Sequence, residues 1–226
     1  MKIIAIIVAR IDSSRLPGKS LIPIGGDPLI QIVISRIQKI EGISEIVVAT
    51  TGRKVDAPLV NFCKKRGVSF FYDRSIDVND VAARVLKCAK KHNADYFLRV
   101  NGDSPFVDYD LVKMGLNIVI KNNIEIVSNI IKRSFPYGIS LEIIKTALLS
   151  REYQYMSKKE KEHITTYFYK EIDRFNAYCI ESSNLINNNQ RFVIDTEDDL
   201  NKIRELYDKF GDKLFSLKYS EINFNK

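Results

Sequence analysis

Arg10, Ser13, Ser14, Arg15 and Lys19 gather three cations and two hydroxyls directly after the apolar run Ile3–Ala9. A strand ending in such a loop offers forked guanidinium donors, an ammonium and backbone N–H groups to a single ligand. In open α/β sheets ligands bind beyond the carboxyl ends of the strands, which is where this loop must lie. The donor set suits a triphosphate. A second group is acidic. Asp103 follows another apolar run in the stretch Arg99-Val100-Asn101-Gly102-Asp103-Ser104-Pro105. A carboxylate at that strand end can hold Mg2+, a hard cation that bridges protein carboxylates to substrate phosphates. Asp103 also reads as a cap for the helix starting near Asp108, though Asp108 or Asp110 is better placed for that task. Asp195 opens the acidic run Asp195-Thr196-Glu197-Asp198 and reads as the N-cap of the last helix.

Residues 13–20 come close to a Walker A loop, with Gly18-Lys19-Ser20 in place. Ser13 stands where the first glycine belongs, and a P-loop must run directly into a helix. Here the chain enters Leu21-Ile22-Pro23-Ile24-Gly25-Gly26-Asp27-Pro28, whose prolines and glycines forbid one. The Rossmann glycine pattern is absent too. These sequences exclude both standard phosphate loops.

The elements that must position these groups alternate. Ile3–Ala9, Glu45–Thr50, Val68–Tyr72, Tyr96–Val100 and Glu125–Asn129 read as strands. Helical periodicity covers Pro28–Ile40, Val55–Arg66, Val78–Lys91 and Leu111–Lys121. The strands are Val/Ile-rich throughout, so both faces are buried, the mark of a parallel sheet in a layered α/β fold. Beyond about residue 130 the rhythm changes. Pro136-Tyr137-Gly138 predicts a turn before a strand over Ile139–Ile144, and a tyrosine-rich helical region runs to about Lys170. Strands near Asn176–Glu181 and Arg191–Ile194 and a helix over Leu200–Phe210 complete the chain, with Asn187-Asn188-Asn189 a loop. One domain spans 1–226, its regularly alternating half at about 1–130 and an elaboration at about 131–226.

Composition narrows the function classes. The 226 residues are 45% hydrophobic, and roughly 70% of the extended chain's surface can be buried at this size without staples. The Lys+Arg excess gives +7, but the cations interleave with acids, as in Lys158-Lys159-Glu160-Lys161-Glu162. No basic arm, zinc-finger spacing or RNP-like aromatic pair points to nucleic acid. No apolar stretch approaches a membrane span. The three cysteines lack CxxC spacing and read as reduced thiols of a cytoplasmic protein. Of the two histidines, His92 lies amid lysines and reads as solvated.

Ala9-Arg10, Ser13 or Ser14, Arg15-Leu16-Pro17-Gly18-Lys19 and Asp27-Pro28-Leu29-Ile30 together resemble the signature of the sugar-acid cytidylyltransferases. That group holds the CMP-ketodeoxyoctulosonate and CMP-sialate synthetases; the spore-coat polysaccharide branch is most similar. The resemblance implies a three-layer α/β sandwich with a mostly parallel twisted sheet, Rossmann-like, as in nucleotide-diphospho-sugar transferases. It implies transfer of CMP from CTP to an acidic sugar with release of pyrophosphate, Mg2+ as cofactor, and a homodimer. Ala9, Arg10, Ser13, Ser14, Arg15, Lys19 and Asn101 would bind the nucleotide, with Arg15, Lys19 and Asp103 central to catalysis. Asp103 and Asp195 would hold the metal, Asp195 through its Arg191-to-Leu200 block. Thr50 would lie where the family recognises cytosine. Tyr137, Glu142 and His163 would line the acceptor pocket.

Three positions depart from the pattern. Val81 stands where the related branch has arginine in D-V-L-D-R, Tyr137 replaces the aspartate of P-D-G, and Thr166 replaces the proline of E-H-x-T-P. The acceptor is therefore the open variable. A same-fold enzyme acting on a sugar phosphate or polyol phosphate, and a non-catalytic nucleotide-binding protein, are the rival readings.

Overall fold

The computed structural model describes residues 1–182 and 190–222, so the Asn187–Asn189 loop lies outside the described residues. In chain order the elements are β1 (Ile3–Val8), a short hairpin of β2 (Pro23–Ile24) and β3 (Asp27–Pro28), α1 (Leu29–Gln38), β4 (Glu45–Ala49), α2 (Ala57–Arg66), β5 (Ser69–Phe71) and α3 (Val81–Lys91). There follow β6 (Tyr96–Asn101), α4 (Tyr109–Asn122), β7 (Ile126–Ser128), β8 (Glu142–Lys145), α5 (Thr146–Glu152), α6 (Lys158–Glu162), α7 (Ile164–Lys170), β9 (Ala177–Cys179) and α8 (Glu197–Phe210).

Seven strands form one sheet in the order β5-β4-β1-β6-β8-β7-β9, all pairings parallel except those of β8. This is the expected three-layer α/β sandwich. Side chains alternate across a strand, so each strand feeds two cores. Ile3, Ala5 and Ile7 pack on one face with α1, α4 and α8; Ile4, Ile6 and Phe97 pack on the other with α3, α5 and α7.

The second face changes character at its edge. It is apolar at Phe97, Ile126 and Ile144, then presents Arg99, Asn101, Ser128 and Glu142 toward the carboxyl ends of the parallel strands. Because β8 runs antiparallel, its first residue Glu142 meets that same end. The site is thus the polar rim of an otherwise apolar layer.

Two sequence expectations need correction. Arg191–Ile194 is not a strand: its hydrogen bonds are divided, Phe192 N–H going to the Tyr137 carbonyl at 2.7 Å and Ile194 N–H to the Asp103 carbonyl at 2.9 Å. Only an isolated bridge, Tyr137 to Arg191, results. His92 is not solvated; it packs beside β4 with Nδ1 3.0 Å from Glu45 Oε1.

Gly138 makes the first of those crossings possible. Its φ is +98°, and a Cβ there would lie 2.5 Å from the Phe192 carbonyl carbon. Gly138→Ala should cost about 2–4 kcal/mol in denaturant unfolding, combining left-handed strain with overpacking. Gly67→Ala, at φ +64° with nothing within 4 Å, should cost only about 1–2 kcal/mol. Equal losses would mean that the approach to Phe192 is not a constraint.

Candidate active site

Gly18 closes the basic loop. It adopts φ +75° and donates its N–H to the Ile11 carbonyl at 2.7 Å. The chain then makes a single 3-10 turn, Lys19–Leu21, and enters the β2–β3 hairpin, in agreement with the exclusion of a P-loop helix. Gly102 lets the end of β6 approach this loop. Its N–H donates to the Val8 carbonyl at 3.0 Å, and a Cβ would stand 2.9 Å from that of Ala9.

Neither aspartate is spent on a helix cap. Asp108 caps α4 by accepting the Leu111 N–H at 2.9 Å. Thr196 caps α8, with Asp199 reciprocating to the Thr196 N–H at 3.1 Å. Asp103 and Asp195 are therefore free to face each other, and Lys19 lies between them. Its Nζ is 2.6 Å from Asp103 Oδ2 and 2.8 Å from Asp195 Oδ1. Arg15 Nη2 reaches Asp195 Oδ2 at 2.5 Å.

These groups line a cavity of about 580 Å³. Ala9, Arg10, Ser13, Ser14, Arg15, Lys19, Asn101, Asp103 and Asp195 line it, and so do Tyr137, Glu142 and His163. Thr50 is the exception: it is buried beside β5, donates its N–H to the Phe71 carbonyl, and is not part of the cavity wall. One residue past β4, it faces inward.

Glu142 lines the cavity but its carboxylate is engaged within the protein. It takes an ion pair from Arg99 and the Tyr169 hydroxyl proton at 2.7 Å. Burial works against the Arg99 charge, yet attraction to Glu142 outweighs it and holds the guanidinium above its ordinary pKa. Burial and the Glu142 carboxylate together push the Tyr169 phenol well above its ordinary value. The expected acceptor contact is thus also the anchor of Arg99.

Sequence reading missed Arg84, Arg99, Arg133 and Tyr169, all of which line the cavity. Arg99 carried a signal: an arginine between Leu98 and Val100 must share the sheet face of Phe97 and needs a buried counter-charge. Arg84 carried one too, since Asp80-Val81-Ala82-Ala83-Arg84 fits the D-V-x-x-R spacing three residues after the place where the arginine was expected, whereas Tyr169 lies in an ordinary helical pattern.

Two carboxylates and no third ligand suit a hard cation that completes its shell from phosphate and water. Among the described residues no group of three His, Cys, Asp or Glu could hold a metal alone. Asp103 and Asp195 offer oxygen donors of the kind Mg2+ takes, converging where Lys19 now neutralises them. The residues present fit that ion in partnership with a nucleotide.

A phosphate-suited loop in contact with an acid pair at the carboxyl edge of a mostly parallel sheet is the arrangement of an α/β nucleotidyltransferase. The chain belongs to the cytidylyltransferase family, which matches residues 4–221. It is 31% identical over 212 residues to an uncharacterized protein of Methanocaldococcus jannaschii, covering 93% of this chain and 85% of that one. It is 29% identical over 219 residues to the Bacillus subtilis spore coat polysaccharide biosynthesis protein SpsF, covering 93% and 88%. A solved cytidylyltransferase from Leptospira borgpetersenii superposes with a TM-score of 0.89 at 27% identity, covering 98% of this chain and 92% of its own.

If Lys19 holds the acid pair together, Lys19→Met and Asp195→Asn should be strongly non-additive. A double-mutant cycle by urea unfolding should give a coupling energy of about 1–3 kcal/mol. Additive losses would contradict a shared Lys19 bridge.

Proposed function

We propose that this cytidylyltransferase transfers CMP from CTP to an acidic sugar of the 3-deoxy-2-ulosonic type, such as a sialic-, legionaminic- or ketodeoxyoctulosonic-type acid. The observation that carries it is the convergence of Arg15 and Lys19 on Asp103 and Asp195 inside one cavity. The motif resemblance and the family match supply the cytidine; the name of SpsF points to polysaccharide biosynthesis as the setting.

On this reading Arg10, Arg15 and Lys19 leave their present partners for the triphosphate, since charge-assisted contacts to phosphate are the stronger ones. The acceptor's anomeric hydroxyl attacks the α-phosphorus in line. A new O–P bond forms, the bond to the β-phosphate oxygen breaks, pyrophosphate departs, and the hydroxyl proton leaves to solvent. Such chemistry depends on positioning and charge neutralisation, with no covalent intermediate on the protein. Bound at Asp103 and Asp195, Mg2+ would supply charge neutralisation for the entering and leaving oxygens. His163 and Tyr137 line the same cavity, and on this reading they shape acceptor choice rather than take the proton. The dimer follows from the resemblance and belongs to the same reading.

The test crosses four nucleoside triphosphates with a set of 3-deoxy-ulosonic acids, sugar phosphates and polyol phosphates, reading pyrophosphate release. CTP with an ulosonic acid should give turnover, and Asp103→Asn should reduce it at least ~10²-fold while leaving the fold intact. Turnover confined to a phosphorylated acceptor would replace the acceptor class. No pyrophosphate release with any of the four nucleotides would leave a non-catalytic nucleotide-binding protein.

A further inference from the structure

The basic loop carries an acid of its own. Asp12 stands between Arg10 and Arg15, where its charge would cancel a neighbouring cation. The structure turns it away. Ala9, Arg10, Ser13, Ser14 and Arg15 line the cavity, whereas Ile11 and Asp12 do not. Asp12 meets Arg53, from the turn between β4 and α2, in a two-pronged pair: Arg53 Nη1 to Oδ2 at 2.6 Å and Nη2 to Oδ1 at 2.7 Å. Both carboxylate oxygens are thereby occupied. Arg10 Nε lies 3.8 Å from Asp12 Oδ1, outside hydrogen-bond range. The bonds from Arg53 chiefly hold the Asp12 carboxyl below its ordinary pKa, with Arg10 a lesser cause.

Arg53 is itself anchored. Its Nε donates to Thr51 Oγ1 at 3.0 Å, and its Nη2 also reaches Asp56 Oδ2 at 3.1 Å. Asp56 is fully buried and accepts the Thr51 hydroxyl proton and, at 2.7 Å, the Ile11 N–H. The Ile11 carbonyl in turn accepts the Gly18 N–H that closes the loop. Asp12 and Asp56 together keep the Arg53 guanidinium above its ordinary pKa. A planar fork oriented by two partners loses little further freedom on taking a third.

The Asp12–Arg53 pair is at the surface, with side chains 38% and 34% exposed. An ion pair so exposed adds little to stability. Its consequence is for the charge of the loop. Arg15 and Lys19 are closely paired with Asp195 and Asp103. Arg10 is held more loosely: besides the long approach to Asp12, its Nη1 stands 3.5 Å from Asn79 Oδ1. An Asp12 carboxylate released from Arg53 would have Arg10 as its nearest cation.

We propose that Arg53 is a positioning residue of the nucleotide site: by holding Asp12 outside the cavity, it leaves the Arg10 charge available to a phosphate oxyanion. This rests on the nucleotidyltransferase reading of the cavity. Arg53 acts through Asp12 and touches no ligand itself.

The experiment measures binding of inorganic triphosphate and of cytidine by calorimetry for wild type, Arg10→Met, Arg53→Met, Asp12→Asn and Arg53→Met/Asp12→Asn. Arg53→Met should weaken triphosphate about tenfold, the effect of cancelling one nearby charge, and leave cytidine nearly unchanged. Asp12→Asn should bind triphosphate at least as tightly as wild type. The double variant should return to within about twofold of Asp12→Asn, because no carboxylate is left to release. A distorted loop would not be repaired by removing that charge. A well-folded double variant as weak as Arg53→Met would therefore overturn the proposal. So would unchanged triphosphate binding in Arg53→Met, or an equal loss of cytidine. If Arg53→Met does not fold, Arg53→Lys with and without Asp12→Asn makes the same comparison, since lysine keeps the charge beside Asp56 and lacks the fork. Should Arg10→Met bind triphosphate as well as wild type, the reading of this loop as a phosphate site falls together with the proposal. Weakening by Arg10→Met but not by Arg53→Met overturns the proposal alone.

Discussion

One ammonium between two carboxylates organises this molecule's working edge. Lys19, Asp103 and Asp195 come from the first loop, the end of the central strand β6 and the segment before the last helix. Bringing them together requires the Gly18 loop closure, the Gly102 approach to Val8 and the Ile194 N–H bond to the Asp103 carbonyl. Each is a backbone constraint, and each leaves a side chain free to face the cavity. Removing Lys19 would leave two like charges opposed, so the arrangement needs either this ammonium or another cation. A nucleotide arriving with its metal could provide that substitute and release Lys19 to phosphate.

Around the basic loop Lys19 and Arg15 are closely paired with Asp103 and Asp195, whereas the ion pair of Arg10, to Asp12, is long at 3.8 Å. The wall around Glu142 is internally satisfied: Arg99, Glu142, Tyr169 and Ser128 form a continuous chain. Tyr137 projects at the margin, 44% exposed, with Arg133 and Arg191 over its ring at 5.2 and 4.7 Å. Where the related pattern has an acid, this chain thus presents an aromatic flanked by cations.

Much of this was legible in the sequence because it followed from local rules. Val/Ile runs without alternation could only be buried parallel strands, and prolines after Ser20 barred a P-loop helix. Asp103 and Asp195 were open to reading as caps, and only the structure shows Asp108 and Thr196 taking that work. What sequence could not give was long-range pairing. Arg191–Ile194 has strand-like residues but divides its bonds between two segments. Thr50 follows a strand end that faces inward, and the Glu142 carboxylate meets Arg99, 43 positions earlier in the chain.

The central claim is that the basic loop and the acid pair form one site for a nucleotide and a divalent cation. Calorimetric titration of CTP into the wild-type protein, with Mg2+ and again with a chelator, addresses it without requiring the acceptor. Coupling through Asp103 and Asp195 predicts affinity at least about tenfold higher with Mg2+, a difference of about 1.4 kcal/mol. Equal affinity under the two conditions would contradict it, because the carboxylates would then have no part in holding the nucleotide.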